Sequence, residues 1–177
     1  MNAIFYVSFN FILYSFIGWI IEEFYSVTVK KKFKKEGFLT GPFKPMYGIA
    51  STILILYNQM LDINGIPLIL LCFLIPTTVE YISGYMLKHL FNKIYWDYSN
   101  LKYNIHGFVT LRFSVYWTLL SFIGVYFLQP MVYTIYKESE KFLIVAVSFL
   151  SIILALDFLL TLKHLKRDIF FKKQIRD

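Results

Sequence analysis

The chain has 177 residues, of which 58% are hydrophobic, 20% aromatic and only 16% charged. This composition excludes an ordinary soluble domain and is typical of an integral membrane protein. The net charge of +7 would suit nucleic acid, but the basic residues cluster at the ends of hydrophobic runs, where they meet lipid headgroups. We therefore expect a lipid bilayer, and no nucleic acid, as a partner. No linker-like stretch divides residues 1–177, which predicts a single domain, and the one cysteine, Cys72, excludes a disulfide framework and a thiolate metal site.

The first hydrophobic run covers residues 3–25 and is long enough to cross a hydrocarbon core of about 30 Å. A signal peptide would begin with basic residues and end at a small-residue cleavage site. This run begins after Met1 and Asn2 and ends in acidic residues followed by lysines. It is therefore predicted to be an uncleaved span. The second span is predicted at residues 44–61.

Three further spans are predicted, at residues 67–87, 108–128 and 142–162. Pro67 opens the third span as a first-turn proline, after a turn that contains Asn64 and Gly65. Gln129 and Pro130 are expected to end the fourth span, and a basic tail over residues 163–177 follows the fifth. The fold class predicted is all-α, a transmembrane bundle of five helices.

The distribution of basic residues predicts the orientation of this bundle. Sixteen of the 18 Lys and Arg residues fall in the loop after the first span, in the segment between the third and fourth spans, or in the C-terminal tail. In a five-span topology these three segments lie on one side of the membrane, and Lys137 and Lys141 lie on the other. The positive-inside rule then predicts an outside N-terminus and a cytoplasmic C-terminus.

Charged side chains at membrane depth are the first candidates for function. A charge near the bilayer centre costs roughly 2.5–3.5 kcal/mol on insertion scales, so such groups face a partner or water. Those of this chain are all predicted in the cytoplasmic half: Glu22, Glu23, Glu80, Arg112 and Asp157. Together with Asp97 and His106 of the loop between the third and fourth spans, they are the candidate residues for a polar cavity or a substrate site.

Simpler roles stay open for these charges. Glu22 and Glu23 can pair with the lysines of the next loop, Asp157 can pair with a basic neighbour, and Arg112 can extend to the headgroups. Glu80 is the strongest functional candidate because it lies about 12 Å deeper than Lys88, which marks the interface. It shares a helical face with Thr77 and Gly84. Two hypotheses remain for it: it lines a polar cavity, or it pairs with Arg112 and locks two spans together.

Two predicted cytoplasmic loops carry turn-forming and aromatic residues. In the first, glycines and prolines alternate with aromatic residues, which predicts a fixed, non-helical path. The second has an Asx-type turn beside two rings suited to the headgroup level. The residues concerned are Gly37, Phe38, Gly41, Pro42, Tyr47 and Gly48 in the first loop, and Trp96, Asp97, Tyr98, Ser99, Asn104 and Gly107 in the second. Their alternative role is anchoring at the interface.

These loop motifs, with Gly18, Trp19 and Glu22 before them and Glu80 and Gly84 between them, resemble a bacterial family named Putative ABC-transporter type IV, also described as an ABC-transporter permease. The resemblance covers roughly residues 11–120. It implies a multi-pass protein of the bacterial cell (inner) membrane with a role in transport. It implies no catalytic residues.

Three functions are considered. The first is a small permease-like transport subunit with a cytoplasm-facing polar cavity, in which case any ATPase is a separate chain, because the sequence has no phosphate-binding GxxxxGK[ST] loop. A homo-oligomer is expected, because five spans make a thin wall for a pathway. The second is a membrane-embedded enzyme in which Glu80 or Asp97 acts as acid or base near His106. The third is a structural or regulatory partner of another membrane protein. No metal and no cofactor are predicted, since HExxH and paired-cysteine patterns are missing.

Overall fold

The computed structural model describes residues 3–31 and 37–174. It is 80% helical, which confirms the all-α fold class. The helices are α1 (Ala3–Lys30), α2 (Pro45–Leu61), α3 (Gly65–Phe91), α4 (Leu111–Ile123), α5 (Gln129–Glu138) and α6 (Glu140–Gln174), with a two-residue antiparallel hairpin of β1 (Asn104–Ile105) and β2 (Val109–Thr110) before α4. Four of the basic residues used to predict the orientation, Lys32, Lys34, Lys35 and Arg176, lie outside the described residues.

Four helical segments are long and apolar enough to cross a membrane: α1, α3, the continuous segment from α4 to α5, and α6. The protein is therefore a multi-pass membrane protein. The remaining predicted span corresponds to α2, which has 17 residues. At 1.5 Å per residue it rises about 26 Å, less than the hydrocarbon thickness of about 30 Å. A fifth crossing at α2, like the orientation of the termini, stays a prediction.

The short α2 is explained by the loop that precedes it. α2 runs antiparallel to α1, with Tyr47 beside Gly18 at one end and Gln59 bonded to Tyr6 at the other. The backbone N–H of Lys44 donates to the Ser15 carbonyl in the middle of α1, at 2.9 Å. Residues 37–44 thus lie as non-helical chain against the middle of α1, and α2 begins only at Pro45.

The sequence predicted that the fourth helix ends at Gln129 and Pro130, but the helix continues beyond them. Residues Gly124–Leu128 form one π-helical turn, and the N–H of Gln129 donates to the Gly124 carbonyl five residues back. Because Pro130 has no N–H and its ring crowds the preceding turn, a regular α-helix would be strained there. The wider turn accommodates the proline, and the helical segment therefore continues to Glu138.

The other helix ends also differ from the predicted spans. α4 begins at Leu111 rather than residue 108, because residue 108 lies in the turn of the hairpin and residues 109–110 form its second strand. The predicted basic tail is helical as far as Gln174. Lys93, just after α3, forms a 3.1 Å ion pair with Asp168 in this extension of α6. The extension therefore packs beside the end of α3.

The core consists of two apolar clusters. One joins α1 to α6 through Ile12, Val147 and Leu154, with Leu39 of the 37–44 loop between them. The other joins α2 and α3 through Leu54, Leu68 and Cys72. Each large buried apolar side chain contributes about 1.5–3 kcal/mol in water, but in lipid the close fit of helices, rather than the hydrophobic effect, holds such contacts together.

Candidate functional site

Glu80 is the centre of the candidate site. It lies on α3 and is 2% exposed. Its Oε1 accepts a hydrogen bond from the Tyr98 hydroxyl and its Oε2 accepts one from the Trp117 indole N–H, both at 3.0 Å. Buried polar groups are almost always hydrogen-bonded, and charged acceptors take the strongest bonds. The site thus supplies one donor to each carboxylate oxygen.

The helical face that contains Glu80 is covered by the loop between α3 and α4. Gly84 lies one turn further along α3, and a side chain there would press on the rings of Phe108 and Trp96. The Trp96 indole donates to the Phe108 carbonyl at 2.8 Å. The small residue lets the loop lie flat against α3, which brings Tyr98 within reach of Glu80.

The loop itself is cross-linked by the polar residues singled out in the sequence. Asp97 accepts from the Ser99 N–H at 2.8 Å, an Asx turn, and this backbone bond is the main cause that lowers the pKa of Asp97. Asn104 donates to the Leu101 carbonyl and accepts from the Gly107 N–H. Gly107 has φ +75°, and a Cβ there would lie 2.8 Å from Asp97 Oδ1, so glycine is required. These hydrogen bonds fix the conformation of the loop, which holds Tyr98 in place.

His106 lies on the outside of this loop and is exposed. Its Nδ1 is 2.9 Å from the Tyr81 hydroxyl. Glu80 is bonded to Tyr98 and Trp117, and Asp97 to Ser99. The described contacts of the two carboxylates therefore do not include the histidine.

Glu22 lies near Glu80 and is part of an ion pair. Its carboxylate is 2.9 Å from the Lys44 ammonium, and the Tyr47 hydroxyl is hydrogen-bonded to it. This is the pairing with a loop lysine that the sequence allowed. Glu23, the next residue, is buried at 8% exposure on α1.

The crossing of α1 and α2 beside this pair depends on glycine. A Cβ at Gly48 would overlap Ser15 Oγ and the Phe11 carbonyl, and one at Gly18 would overlap the Tyr47 ring. Small residues let two helix backbones approach closely in lipid, where packing contacts drive association. The face shared by Ser15, Gly18 and Glu22 is thus the contact surface for α2.

Asp157 is hydrogen-bonded to the backbone of the 37–44 loop rather than to a basic side chain. Its two oxygens accept from the backbone N–H groups of Thr40, at 3.2 Å, and Gly41, at 2.8 Å. Phe38 packs on Phe158 next to it, with ring centroids 5.7 Å apart. Asp157 therefore ties the 37–44 loop to α6.

The pairing of Glu80 with Arg112 is wrong. Arg112 is exposed, its Nε donates to the Tyr116 hydroxyl at 3.2 Å, and its guanidinium lies 5.8 Å from the ring of the same tyrosine. Residues at i and i+4 share one helix face, so Tyr116 holds the arginine on the outside of α4. Trp117, on a different face, is the residue of α4 that reaches Glu80.

A cavity of about 200 Å³ lies next to Glu80, between α1, α2, α3 and α4. Apolar side chains supply most of its wall, with the rings of Tyr14, Tyr47 and Trp117 and the hydroxyls of Ser51 and Ser121. Pro76 lines it one turn before Glu80. Of the sequence-predicted charges, Glu80 alone is part of this wall. Asp157, Arg112, Asp97 and His106 contribute to other parts of the fold.

A buried polar cluster that sequence reasoning missed lies at the other end of this cavity. Tyr14, which lines the cavity, donates to Gln129 Oε1 at 2.6 Å. Gln129 Nε2 donates to the Tyr6 hydroxyl at 2.8 Å and to Asn10 Oδ1 at 3.0 Å, and Gln59 Nε2 donates to the same Tyr6 hydroxyl. The i, i+4, i+8 spacing of Tyr6, Asn10 and Tyr14 on one helix face was the available signal.

The model of the family described as Putative ABC-transporter type IV matches residues 9–162. The chain belongs to this family. The matched residues include Glu80 and the rest of the cavity wall, both loops and Asp157. The comparison with solved structures finds no match for the chain. Within the part of this type IV family member that the structure describes, no group of three or more His, Cys, Asp or Glu residues could hold a metal ion.

Proposed function

We propose that this protein is the membrane-embedded subunit of a transporter, and that the cavity beside Glu80 holds the solute during its passage. The observation that carries the proposal is a cavity of about 200 Å³ between four helices with a buried carboxylate in its wall. A buried ionisable group inside a helical bundle marks a solute or ion pathway by default, because its insertion is costly. The name of the family supports a transport role.

The polar groups of this region suggest the direction of the pathway. Glu80 lies at one end of the cavity and Tyr14 at the other, where the Gln129 cluster continues toward the opposite end of the bundle. The π-helical turn before Gln129 adjoins the cavity, and such turns are frequent at functional sites. The path proposed runs from Glu80 past Tyr14 to Gln129.

An enzymatic role has less support. That hypothesis requires His106 beside Glu80 or Asp97, so that a carboxylate and an imidazole share a proton. The imidazole instead lies on the outside of the loop, where it contacts Tyr81 of α3. Transport is the function that uses the carboxylate where it is.

The partners proposed follow from the same reasoning. The sequence has no phosphate-binding loop, so ATP-driven transport would need a separate ATPase chain, and the cross-linked loop over residues 92–110 offers a firm surface for it. A homo-oligomer would surround the pathway more completely. The membrane proposed is the bacterial cell (inner) membrane, with the N-terminus outside.

Cysteine accessibility tests whether the cavity is part of a pathway. In a Cys72→Ala background, Ser51→Cys and Ser121→Cys place thiols in the cavity wall with little change of volume. Ile49→Cys and Leu119→Cys are matched controls on exposed faces of α2 and α4. We expect a small charged thiol reagent to modify the two cavity positions in membrane vesicles and to spare the lipid-facing pair, which has no water around it. If neither cavity position reacts when the reagent is added from either side of the membrane, the pathway is disproved.

A further inference from the structure

The described part of the cavity wall contains an acidic side chain but no basic one. Among the described residues that line it, Glu80 is the one with an ionisable acid or base, apart from tyrosine hydroxyls. Most of the remaining wall is aliphatic, as at Ile17, Ile21, Val79, Leu120 and Val125. A charge in such surroundings interacts strongly with an opposite charge, because little water screens it.

Two basic residues, one before α2 and one on α4, are held outside the cavity wall. Lys44 is paired with Glu22 at 2.9 Å, and Arg112 is bonded to Tyr116 on the exposed face of α4. Neither residue lines the cavity. An anionic solute would thus meet the Glu80 carboxylate without a compensating positive group in the wall, whereas a cation would meet its counter-ion.

Glu80 also has capacity for a further bond. A carboxylate offers about four acceptor sites. Two of them are used, one by Tyr98 and one by Trp117. The ring of Trp117 meets that of Tyr47 edge to face, with centroids 5.2 Å apart, and both rings line the cavity. Aromatic rings near a carboxylate are the surroundings that bind ammonium groups through cation–π contacts.

The size of the cavity limits the solute. An apolar cavity of about 150 Å³ holds one benzene molecule. A cavity of about 200 Å³ is somewhat larger. It has room for a single ring or a short branched chain with a small charged group.

We propose that this cavity binds a monovalent organic cation, an amine or quaternary ammonium with an apolar body about the size of one aromatic ring, with Glu80 as its counter-ion. The inference rests on the proposed function and names the solute class of the same site. A proton and the cation compete for Glu80, because only the ionised carboxylate attracts the cation. The other titratable or charged groups around Glu80 are Glu22 of α1, Lys44 and Tyr47 at the start of α2, and Tyr98 of the loop; Glu22 and Lys44 are paired.

The test uses the full chain, purified and reconstituted in lipid nanodiscs, with three probes that share a benzyl group and differ in charge. Benzyltrimethylammonium is the cation, benzyl alcohol the neutral probe and phenylacetate the anion. Binding is followed by calorimetry and by the intrinsic tryptophan fluorescence, to which Trp117 in the cavity wall contributes. We expect the cation to bind at least about tenfold more tightly than either other probe at pH 8. Its dissociation constant should rise as the pH falls and the carboxylate is protonated. Phenylacetate binding more tightly, or equal affinities at every pH, would overturn the proposal.

Glu80→Gln keeps the shape of the side chain and removes its charge. We expect a loss of at least about tenfold in cation affinity, because the Coulomb attraction between the carboxylate and the cation is removed where little water screens it. No pH dependence should remain. Benzyl alcohol binding should stay unchanged, which also shows that the cavity is intact. Glu138→Gln is the control, because it makes the same charge change at an exposed position outside the cavity. The pH titration uses the unmodified chain, so it decides the matter even where Glu80→Gln folds poorly.

The outcomes separate this inference from the proposed function. If Ser121→Cys reacts in vesicles but the cation does not bind, the solute class is wrong and the pathway stands. If Ser51→Cys and Ser121→Cys are both inert, the pathway fails whatever binds to the purified protein.

Discussion

The hydroxyl of Tyr98, in the loop between α3 and α4, donates a 3.0 Å hydrogen bond to Oε1 of Glu80 inside the bundle. Eighteen positions separate the two residues, and the loop must fold back over α3 to bring them together. Burial, and then the charge of Glu80, raises the pKa of Tyr98 far above its ordinary value. The hydroxyl therefore stays protonated and remains a donor, so the loop stabilises the carboxylate at the cavity.

Tyr98→Phe should destabilise the protein by about 1.5–3 kcal/mol, because Glu80 loses one of its two donors and the bond is to a charged group. The stacking on Phe113, with centroids 4.8 Å apart, is kept by the phenylalanine ring. Thermal unfolding of the detergent-solubilised protein measures the change. Tyr103→Phe, at a side chain that is 79% exposed, is the control and should be close to neutral. Equal effects of the two substitutions would show that the bond to Glu80 contributes nothing.

Gly48→Ala should destabilise the α1–α2 pair by about 1–3 kcal/mol, the usual range for overpacking a close contact. The added methyl overlaps the α1 backbone at Phe11 and the side chain of Ser15. Gly124→Ala provides the comparison, because its Cβ would meet no atom within 4 Å. That substitution should be neutral or slightly stabilising, as alanine is the better helix former. If the Gly48→Ala and Gly124→Ala proteins unfold at the same temperature, the close crossing of α1 and α2 is refuted.

Asp157→Ala should release the 37–44 loop from α6. The loop amides of Thr40 and Gly41 lose a charged acceptor worth about 1.5–3 kcal/mol in total stability. Hydrogen exchange of the peptide that contains them should then be roughly tenfold faster or more. Asp168→Ala removes a half-exposed ion pair with Lys93, in which the carboxylate side chain is 46% exposed. It should change hydrogen exchange in this peptide little. Unchanged protection in Asp157→Ala would mean that other contacts hold the loop.

Gln129→Leu should be more harmful than Gln59→Leu, although both replace an amide by an apolar side chain. Gln129 bonds to three residues of α1, namely Tyr6, Asn10 and Tyr14, whereas Gln59 donates one hydrogen bond to Tyr6. Each partner left buried and unpaired costs about 1–3 kcal/mol. Thermal unfolding of the two variants, compared with the unmodified chain, gives the order. The reverse order would show that Gln59 rather than Gln129 organises the cluster.

The predicted orientation is tested by labelling intact cells with an impermeant thiol reagent in the Cys72→Ala background. Asn64→Cys, between α2 and α3, and Ser139→Cys, between α5 and α6, should be modified from outside. Ser99→Cys, in the opposite loop, should be modified only after the membrane is opened. This expectation follows from the positive-inside rule. Modification of Ser99→Cys in intact cells would reverse the topology.

The sequence alone predicted the membrane class and most of the helices. Hydrophobic length is a reliable signal because the bilayer offers backbone groups no partners outside the helix. Local chemistry also determined the Asx turn of Asp97 and the buried face with Glu80 and Gly84, since both depend on residues close together in the chain. Such features need no knowledge of what packs against them.

The partners of the buried charges were decided only by the tertiary structure. Asp157 reaches Gly41 across 116 positions, Tyr14 reaches Gln129 across 115, and Trp117 reaches Glu80 across 37. Charge attraction suggested Arg112 for Glu80, but the face of α4 that turns inward presents the Trp117 indole instead. The π-helical turn before Pro130 is a similar case, because a proline interrupts a regular helix and nothing in the local sequence indicated that a wider turn would let the helix continue. Hydrogen bonds between distant segments depend on how helices are rotated against one another, and a single sequence does not encode that rotation in its local pattern.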